Sequence, residues 1–223
     1  YMGLELANPV IAGSSGLTGS VDGVKRCVDA GVGAVVLKSM FEELIIASNE
    51  NLERDMIQSE HPEAYEYIRA ELGMQLGPRP HLRFIEDVRK SVAVPVIASV
   101  NCTSSKWWVS YAKNIESAGA DAIELNISHF PGAEESSDAV ERRYADIVAD
   151  VAGNVSIPVA AKVGYYFTSV TNLLEAVVKG GAKGLVLFNR LYSVDIDIDK
   201  KAVVPSMKLS SPEEMLVPLR WVG

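Results

Sequence analysis

Short apolar runs recur along the chain, separated by more polar segments. One type of run contains a proline near its start, and its copies are Asn8–Ala12, Val94–Ala98 and Ile157–Ala161. The other type contains a glycine, and its copies are Asp29–Leu37, Ser117–Leu125 and Lys179–Leu187. Each run is short, rich in β-branched residues and apolar at consecutive positions, which is typical of a strand buried on both faces of a parallel sheet. The proline suits the first strand position, and the glycine suits the left-handed residue that ends a preceding helix.

Apolar residues spaced three and four apart indicate helices between these runs. The predicted helices are Val21–Ala30, His81–Ser91, Ser105–Ala118, Asp138–Ala152 and Val170–Lys179, with a further helical pattern at Pro212–Val222. Strands that alternate with helices imply a parallel sheet with right-handed crossovers.

The alternation of two run types favours one parallel architecture over another. In a (β/α)8 barrel, alternate strands contribute to alternate layers of the core, so a two-unit period is expected. A doubly wound open sheet has no such reason to alternate, and it is the lesser alternative. The six runs predict one barrel domain over residues 1–223 that holds the first six β/α units and is incomplete at its C-terminus.

Two connections are longer than the others. They cover residues 41–80 and 190–210, and each follows the carboxyl end of a strand, where barrel enzymes place their functional loops. The segment Phe41–Gly73 has a mostly helical pattern. Val194–Asp199 alternates apolar and acidic residues, which predicts a short strand or an ordered loop.

The composition of the chain argues against several classes of function. The chain is 48% hydrophobic and 22% charged, which argues against disorder. A net charge of −8 without a basic stripe argues against nucleic-acid binding. The two cysteines give neither a disulfide framework nor zinc-ligand spacing, so no metal site is predicted. The apolar runs are too short to span a membrane, and we expect a cytoplasmic protein that binds a small molecule.

Polar and cationic residues lie at or just past the carboxyl end of each predicted strand. They are Gly13–Gly16, Lys38-Ser39, Asn101–Thr103, Asn126–His129, Lys162 and Asn189-Arg190. Serine or asparagine at such a position could equally cap the next helix. Lysine is rarely buried without a partner, so Lys38 and Lys162 point more strongly to a ligand. Lysines together with amides suit an electron-rich planar ligand.

The same segments carry a family resemblance. They are Leu6–Val10, Ser15-Gly16, Val36–Ser39, Glu124–Ser128, Ala161–Val163, Tyr165–Phe167 and Phe188-Asn189. In them the chain resembles the dihydroorotate dehydrogenases, particularly the bacterial dihydroorotate dehydrogenase-like proteins, which are FMN-dependent TIM barrels. The resemblance implies oxidation of dihydroorotate, or of a related dihydropyrimidine, by hydride transfer to flavin in pyrimidine biosynthesis.

The resemblance also implies roles for individual residues. The residues that would contact FMN are Ser15, Gly16, Lys38, Ser39, Asn101, Asn126 and Lys162. Lys162 would also stabilise negative charge on the reduced flavin. Asn126, Asn189 and Arg190 would bind the substrate. A homodimer is expected, and no residue indicates the electron acceptor or a partner protein that receives the electrons.

Two departures from the family pattern bear on the reaction. The family's loop after the fourth strand carries a cysteine base, whereas this chain has His129 at that position. Histidine is a competent base near neutral pH, although a polar loop residue without a catalytic role is an equal alternative. The family's asparagine-rich loop is absent from Phe41–Pro80, which leaves Arg190 as the counter-charge for a substrate carboxylate. Together these departures favour a related but different substrate.

Two other functions remain open from the sequence. A Schiff-base aldolase or lyase would use Lys162 or Lys38 as its nucleophile. A degenerate, non-catalytic barrel would have a binding or assembly role. The acidic pair Glu134-Glu135 is interpreted as a solvated loop.

Overall fold

The computed structural model describes residues 1–41, 78–102, 108–129, 132–189, 193–206 and 210–222. Most of the long segment 41–80, including its helical pattern, lies outside these ranges, and so does Arg190. The predictions made for those residues therefore stay predictions.

One parallel sheet forms the centre of the molecule. Its strands are β1 (Ile11–Ala12), β2 (Ala34–Val36), β3 (Met40–Phe41), β4 (Val96–Cys102), β5 (Ala122–Ile127), β6 (Val159–Val163) and β7 (Gly184–Leu187). The strands lie side by side in the order β1-β2-β4-β5-β6-β7, and the short β3 pairs with the end of β4. All of these pairs are parallel.

The strand order decides between the two predicted architectures. A doubly wound sheet reverses its strand order at a switch point, whereas a barrel adds each new strand beside the previous one. Here the order follows the chain without reversal, so the sheet curls as part of a β/α barrel and the open-sheet alternative is not supported. The full count of eight units stays a prediction.

Helices follow the strands as the periodicity predicted. They are α1 (Val21–Asp29), α2 (Pro78–Ser91), α3 (Trp108–Ser117), α4 (Ser137–Ala152), α5 (Val170–Lys179) and α6 (Leu216–Val222). Short 3₁₀ turns cover Gly16–Thr18 and Pro212–Met215. Helix α2 begins earlier than predicted, at Pro78, because proline is well suited to the first turn of a helix.

Local sequence signals fix several helix ends. Ser20, Ser136 and Ser169 each accept a hydrogen bond from the backbone N–H three residues later, as N-caps do. The glycines after α1, α3 and α5 have left-handed φ angles of 93°, 91° and 112°, at Gly31, Gly119 and Gly181 respectively. The predicted role of glycine in the second run type is therefore confirmed.

The strands bury two different faces. Outward-facing side chains such as Ile123 and Leu125 pack with helix residues such as Leu173 in one large cluster. The inward face has a smaller cluster of Val36, Ile97 and Ala122, which the N-terminal residues Met2 and Leu4 and the β1 residue Ile11 cover. Because strand side chains alternate with period two, the residues two and four positions after Ile97 and Ala122 also face inward.

The segment 190–210 contains more structure than a loop. The predicted strand at Val194–Asp199 is confirmed as β8 (Ser193–Asp197), and it pairs antiparallel with β9 (Ala202–Ser206). The sequence did not indicate β9, because Pro205 inside the run argues against a strand except at an edge. Among the helices described, none has the length and apolar character needed to cross a membrane.

Candidate functional site

Polar side chains occupy the inward face of β4, β5 and β6 toward their carboxyl ends. The parallel register sets Ser99 beside Glu124, Asn101 beside Asn126, and Asn126 beside Lys162. Two layers result. The upper layer is Asn101, Asn126 and Lys162, and the lower layer contains Ser99 and Glu124.

The position of the two asparagines corrects the sequence interpretation. Asn101 and Asn126 were expected just past the strand ends, but both lie within strands. Backbone pairing continues from Asn101 opposite Asn126 to Cys102 opposite Ile127, so the strands extend beyond their apolar runs. The polar side chains are tolerated there because they face the barrel interior and not the helix layer.

The upper layer contains two acceptors in need of a donor. The Oδ1 atoms of Asn101 and Asn126 are buried, and neither has a hydrogen-bond partner among the described residues. A buried polar atom left unpaired costs about 1–3 kcal/mol. A ligand whose edge donates hydrogen bonds would remove this cost, and the N–H edge of a flavin or pyrimidine ring has that chemistry.

The lower layer is linked to the loops after β1 and β2 by hydroxyl groups. Ser99 Oγ donates to Glu124 Oε1 at 3.0 Å. Ser39 Oγ lies 2.7 Å from Ser99 Oγ, and Ser14 Oγ lies 3.0 Å from Ser39 Oγ. The backbone N–H of Ser39 also donates to Ser14 Oγ at 3.0 Å. We call Ser14, Ser39 and Ser99 the serine chain.

Glu124 is a buried carboxyl group at the end of this chain. Only 5% of the residue is exposed. Burial raises the pKa of its carboxyl, while the positive charge of Lys162 and the hydrogen bond from Ser99 act in the opposite direction. Burial first and the Glu124 carboxyl second raise the pKa of the Tyr1 phenol to about 12, so the N-terminal residue also faces this group.

The two lysines singled out from the sequence lie at the carboxyl side of the sheet. Lys162 is half-buried on the inward face of β6, and its charge acts on Glu124. Lys38 follows β2, and its backbone N–H donates to the carbonyl oxygen of Thr18 at 3.1 Å. A Cβ atom built on Gly19 would lie 3.2 Å from Lys38 Cδ, so the lysine stem runs along that glycine.

In the loop after β1, no other atoms cover the backbone at Gly13 and Gly16. Ser15 donates its backbone N–H to Thr18 Oγ1 at 3.1 Å, and the buried Thr18 hydroxyl lies 3.4 Å from the carbonyl oxygen of Gly13. A Cβ atom on Gly13 or Gly16 would meet nothing within 4 Å, and neither residue has a left-handed φ. The chain itself therefore does not require glycine at these positions, which fits the close approach of a planar ligand to the backbone.

His129 is held by charged neighbours. Its Nε2 lies 2.7 Å from Glu135 Oε2, and Arg143 Nη2 donates to Glu135 Oε1 at 2.7 Å. Arg143 Nη1 lies 3.0 Å from each ring nitrogen. The His129 backbone N–H donates to Tyr144 Oη at 3.1 Å. The hydrogen bond from His129 is the main cause that lowers the pKa of the Glu135 carboxyl.

These contacts identify residues that the sequence did not assign. Glu135 is half-buried and ion-paired, so the prediction of a solvated loop does not hold for it. The spacing of Glu135 and Arg143 from His129 carries no recognisable motif, because the loop geometry alone brings them together. Asn189 follows β7, and its backbone N–H donates to the carbonyl oxygen of Val163 at 2.8 Å. Within the described ranges, no group of three or more His, Cys, Asp or Glu residues could hold a metal ion.

Several curated proteins are similar in sequence to this chain. A putative dihydroorotate dehydrogenase A (fumarate) of Aeropyrum pernix is 34% identical over 130 residues, which cover 57% of this chain and 42% of that protein. A dihydroorotate dehydrogenase B (NAD(+)), catalytic subunit, of Methanocaldococcus jannaschii is 31% identical over 217 residues, which cover 92% of this chain and 66% of that protein. A dihydropyrimidine dehydrogenase (NADP(+)), chloroplastic, of Arabidopsis thaliana is 26% identical over 91% of this chain and 50% of that protein.

The chain is shorter than the proteins it matches. It covers 42%, 66% and 50% of the three relatives named above, which is less than two thirds of each. No family model matches it. Among solved structures, a phosphonopyruvate hydrolase matches with a TM-score of 0.50 and 15% identity, over 81% of this chain and 58% of that one. This likeness concerns the fold alone.

Proposed function

The chain belongs to the dihydroorotate dehydrogenase-like family, and we propose that it is an FMN-dependent dehydrogenase that oxidises a CH–CH bond of dihydroorotate or a related dihydropyrimidine. The observation that carries this proposal is the upper layer of Asn101, Asn126 and Lys162. It combines two buried acceptors without donors and one cation on the inward face of the sheet. That set fits a planar ring with N–H donors and an electron-rich edge.

The chain's own residues would do the following in such a site. Bound FMN would supply the acceptor for a hydride. Asn101 and Asn126 would accept hydrogen bonds from ring N–H groups, and Lys162 would offset negative charge on the ring. Lys38, Ser39 and the open backbone at Gly16 would line the ring and its ribityl chain. Asn126, Asn189 and Arg190 would bind the substrate.

We propose His129 as the group that takes the proton from the substrate carbon. Nε2 faces the Glu135 carboxylate at 2.7 Å, so this nitrogen carries the proton and Nδ1 is the basic one. Arg143 Nη1 lies 3.0 Å from Nδ1, and the guanidinium must move aside for Nδ1 to accept a proton. With His129 as the base, His129→Gln strongly slows the reduction of the flavin by the substrate, with little change in flavin affinity.

Flavin binding is the first experiment. The full-length protein is purified, FMN is added, and the visible spectrum and the quenching of free flavin fluorescence give the affinity. Lys162→Met and Asn126→Ala are each expected to weaken binding by about tenfold, which corresponds to the loss of about one hydrogen bond to the ligand. Lys183→Met is the matched control, because Lys183 is exposed and precedes β7 at its amino end. Equal affinity in all four proteins, or no flavin binding by the unmodified protein, would contradict the proposal.

Substrate choice is the second experiment. Anaerobic bleaching of the bound flavin is followed with dihydroorotate and with dihydrouracil, which lacks the carboxylate. Faster bleaching by dihydroorotate supports a carboxylate site that includes Arg190, and faster bleaching by dihydrouracil supports a different dihydropyrimidine. Bleaching by neither compound counts against this substrate class. A homodimer, a cytoplasmic location and a place in pyrimidine biosynthesis are further parts of the proposal.

A Schiff-base lyase is the second candidate, because Lys162 is a half-buried lysine on the barrel interior next to a carboxyl group. Borohydride treatment with a carbonyl substrate separates the two functions. A covalent adduct on Lys162 would favour the lyase, and its absence together with flavin bands would favour the dehydrogenase.

A further inference from the structure

Glu124 is a buried carboxyl group that the proposed reaction does not use. It lies one layer below Asn126 on β5, with 5% of its surface exposed. Burial of a carboxyl group without compensation is costly, so its partners decide what it does.

Three groups face Glu124 from the elements around it. Ser99 on β4 donates to Oε1 at 3.0 Å. On β6 the register pairs Glu124 with Ala160, so Lys162, two residues further along the same face, lies diagonally across from the carboxyl group and its positive charge acts on it. Tyr1 of the N-terminal segment presents a phenol. Lys162 is the only cation among them. Among the described groups that face Glu124, Lys162 is therefore the one that can compensate the charge of the carboxylate.

The carboxylate fixes the direction of the serine chain. Each serine hydroxyl has one proton to donate. Ser99 gives its proton to Glu124, so it must accept the proton of Ser39 across the 2.7 Å contact. Ser39 must then accept the proton of Ser14, whose oxygen in turn receives the Ser39 backbone N–H. All three hydroxyl dipoles thus point toward Glu124, which is the orientation that stabilises an anion.

We propose that Glu124 is a positioning residue for Lys162, and that the serine chain holds its carboxylate and conducts protons between it and the loop after β1. Proton uptake transfers one proton along each hydroxyl, from water at Ser14 to Ser39, to Ser99 and to the carboxylate, so every serine gives one proton and receives one. With Glu124 ionised, the Lys162 charge is compensated from below. When Glu124 is protonated, the positive charge of Lys162 is no longer compensated and acts on the ligand bound at the upper layer.

The link to the cofactor rests on the proposed function, whereas the coupling of Glu124 to Lys162 and to the serine chain does not. The first test therefore uses the chain without flavin. Glutamate is labelled with ¹³C at the side-chain carboxyl, and each resonance is followed from acidic to mildly alkaline pH. The Glu124 signal is assigned by its loss in Glu124→Gln, and Glu116 is the internal reference because it also accepts a serine hydroxyl, from Ser156, but is partly exposed.

The expected order of titration follows from burial. Glu124 titrates at higher pH than the other glutamates, and Glu116 at lower pH, since hydrogen bonds from Ser156 lower the pKa of the Glu116 carboxyl. Lys162→Met shifts the Glu124 signal to higher pH and Lys162→Arg leaves it near its original place. Ser99→Ala also shifts it to higher pH, and Ser39→Ala does so by less. The exposed Ser117→Ala leaves it unchanged.

Two outcomes would overturn the proposal in this test. One is a Glu124 signal that titrates together with the exposed glutamates. The other is a signal that does not respond to Lys162→Met, since the two groups would then be uncoupled. A response to Ser99→Ala without any response to Ser39→Ala would refute the serine chain as a continuous unit.

The second test uses the flavin-loaded protein. Glu124→Gln is expected to shift the flavin reduction potential in the positive direction, because it removes a negative charge that compensates Lys162. It is also expected to flatten the dependence of that potential on pH, because Glu124 no longer takes up a proton. An unchanged potential and pH dependence would refute the positioning role. Failure of the unmodified protein to bind flavin would instead refute the proposed function, and the titration without flavin would stand by itself.

Discussion

His81 is expected to make the fold sensitive to acid. It lies on α2 with 3% of its surface exposed, and its Nδ1 is 2.8 Å from Tyr111 Oη on α3. Its Nε2 is buried and has no hydrogen-bond partner among the described residues. Burial lowers the pKa of the imidazole from 6.5 to about 4, because the charged form cannot be solvated there.

The size of the stability loss in acid follows from the linkage between protonation of His81 and folding. The pKa of this base is lower in the folded state, so the unfolded chain binds the proton more tightly and stability is lost as pH falls from 6.5 toward 4. Each pKa unit corresponds to about 1.4 kcal/mol, which gives a total of about 3 kcal/mol, of which about 2 kcal/mol is lost by about pH 5. Glu124 acts in the opposite direction, since its raised pKa stabilises the folded state below the ordinary glutamate pKa and this contribution disappears as pH rises.

His81→Leu separates these two contributions. Tyr111 keeps an acceptor in the Pro78 carbonyl oxygen at 3.3 Å, so the variant is expected to be within about 1 kcal/mol of the unmodified protein at about pH 8. At about pH 5 it should gain about 2 kcal/mol relative to the unmodified protein. Urea unfolding at both pH values measures the difference, and the exposed Glu86→Gln on the same helix is the control. A stability difference that is the same at both pH values would refute the argument.

Four further predictions follow from local geometry. Gly119→Ala should lower the free energy of unfolding by about 1–2 kcal/mol in urea titrations, because Gly119 has a φ of 91°. Gly16→Ala should leave that free energy within about 0.5 kcal/mol, since its Cβ meets nothing, yet should weaken FMN binding in fluorescence titrations. Leu173→Ala should cost about 2–5 kcal/mol by the same unfolding assay, because the side chain is fully buried. Glu135→Gln should slow the bleaching of the flavin by the substrate, because it removes the carboxylate that orients the His129 ring, and an unchanged rate would contradict the role of His129 as the base.

The order of elements could be predicted from the sequence because it depends on local patterns. Apolar runs, helical spacing and the glycines at positions 31, 119 and 181 each act within a few residues of their own position. The alternation of run types was also enough to favour a barrel, since layering of side chains leaves a periodic trace. The strand order in space then confirmed the barrel-type winding.

The candidate site was only partly visible in the sequence. Lys162, Asn126 and Asn101 could be named because they follow apolar runs, although the strands proved longer than those runs. Strand β9 was not predicted because Pro205 within it argues against a strand. The strand is stabilised by pairing with β8 and not by its own composition.

The sequence by itself determined the alternation of strands and helices, the glycines that follow three of the helices, and the set of polar residues near the carboxyl ends of the strands. Only the tertiary structure decided which of these residues meet. Ser14, Ser39, Ser99 and Glu124 belong to four separate segments, and the parallel register brings them into one hydrogen-bonded line. His129, which follows β5, and Glu135, which precedes α4, both meet Arg143 of α4. The first arrangement depends on contacts between residues 25 to 60 positions apart, and the second on contacts between residues 6 to 14 positions apart that no recognisable motif marks.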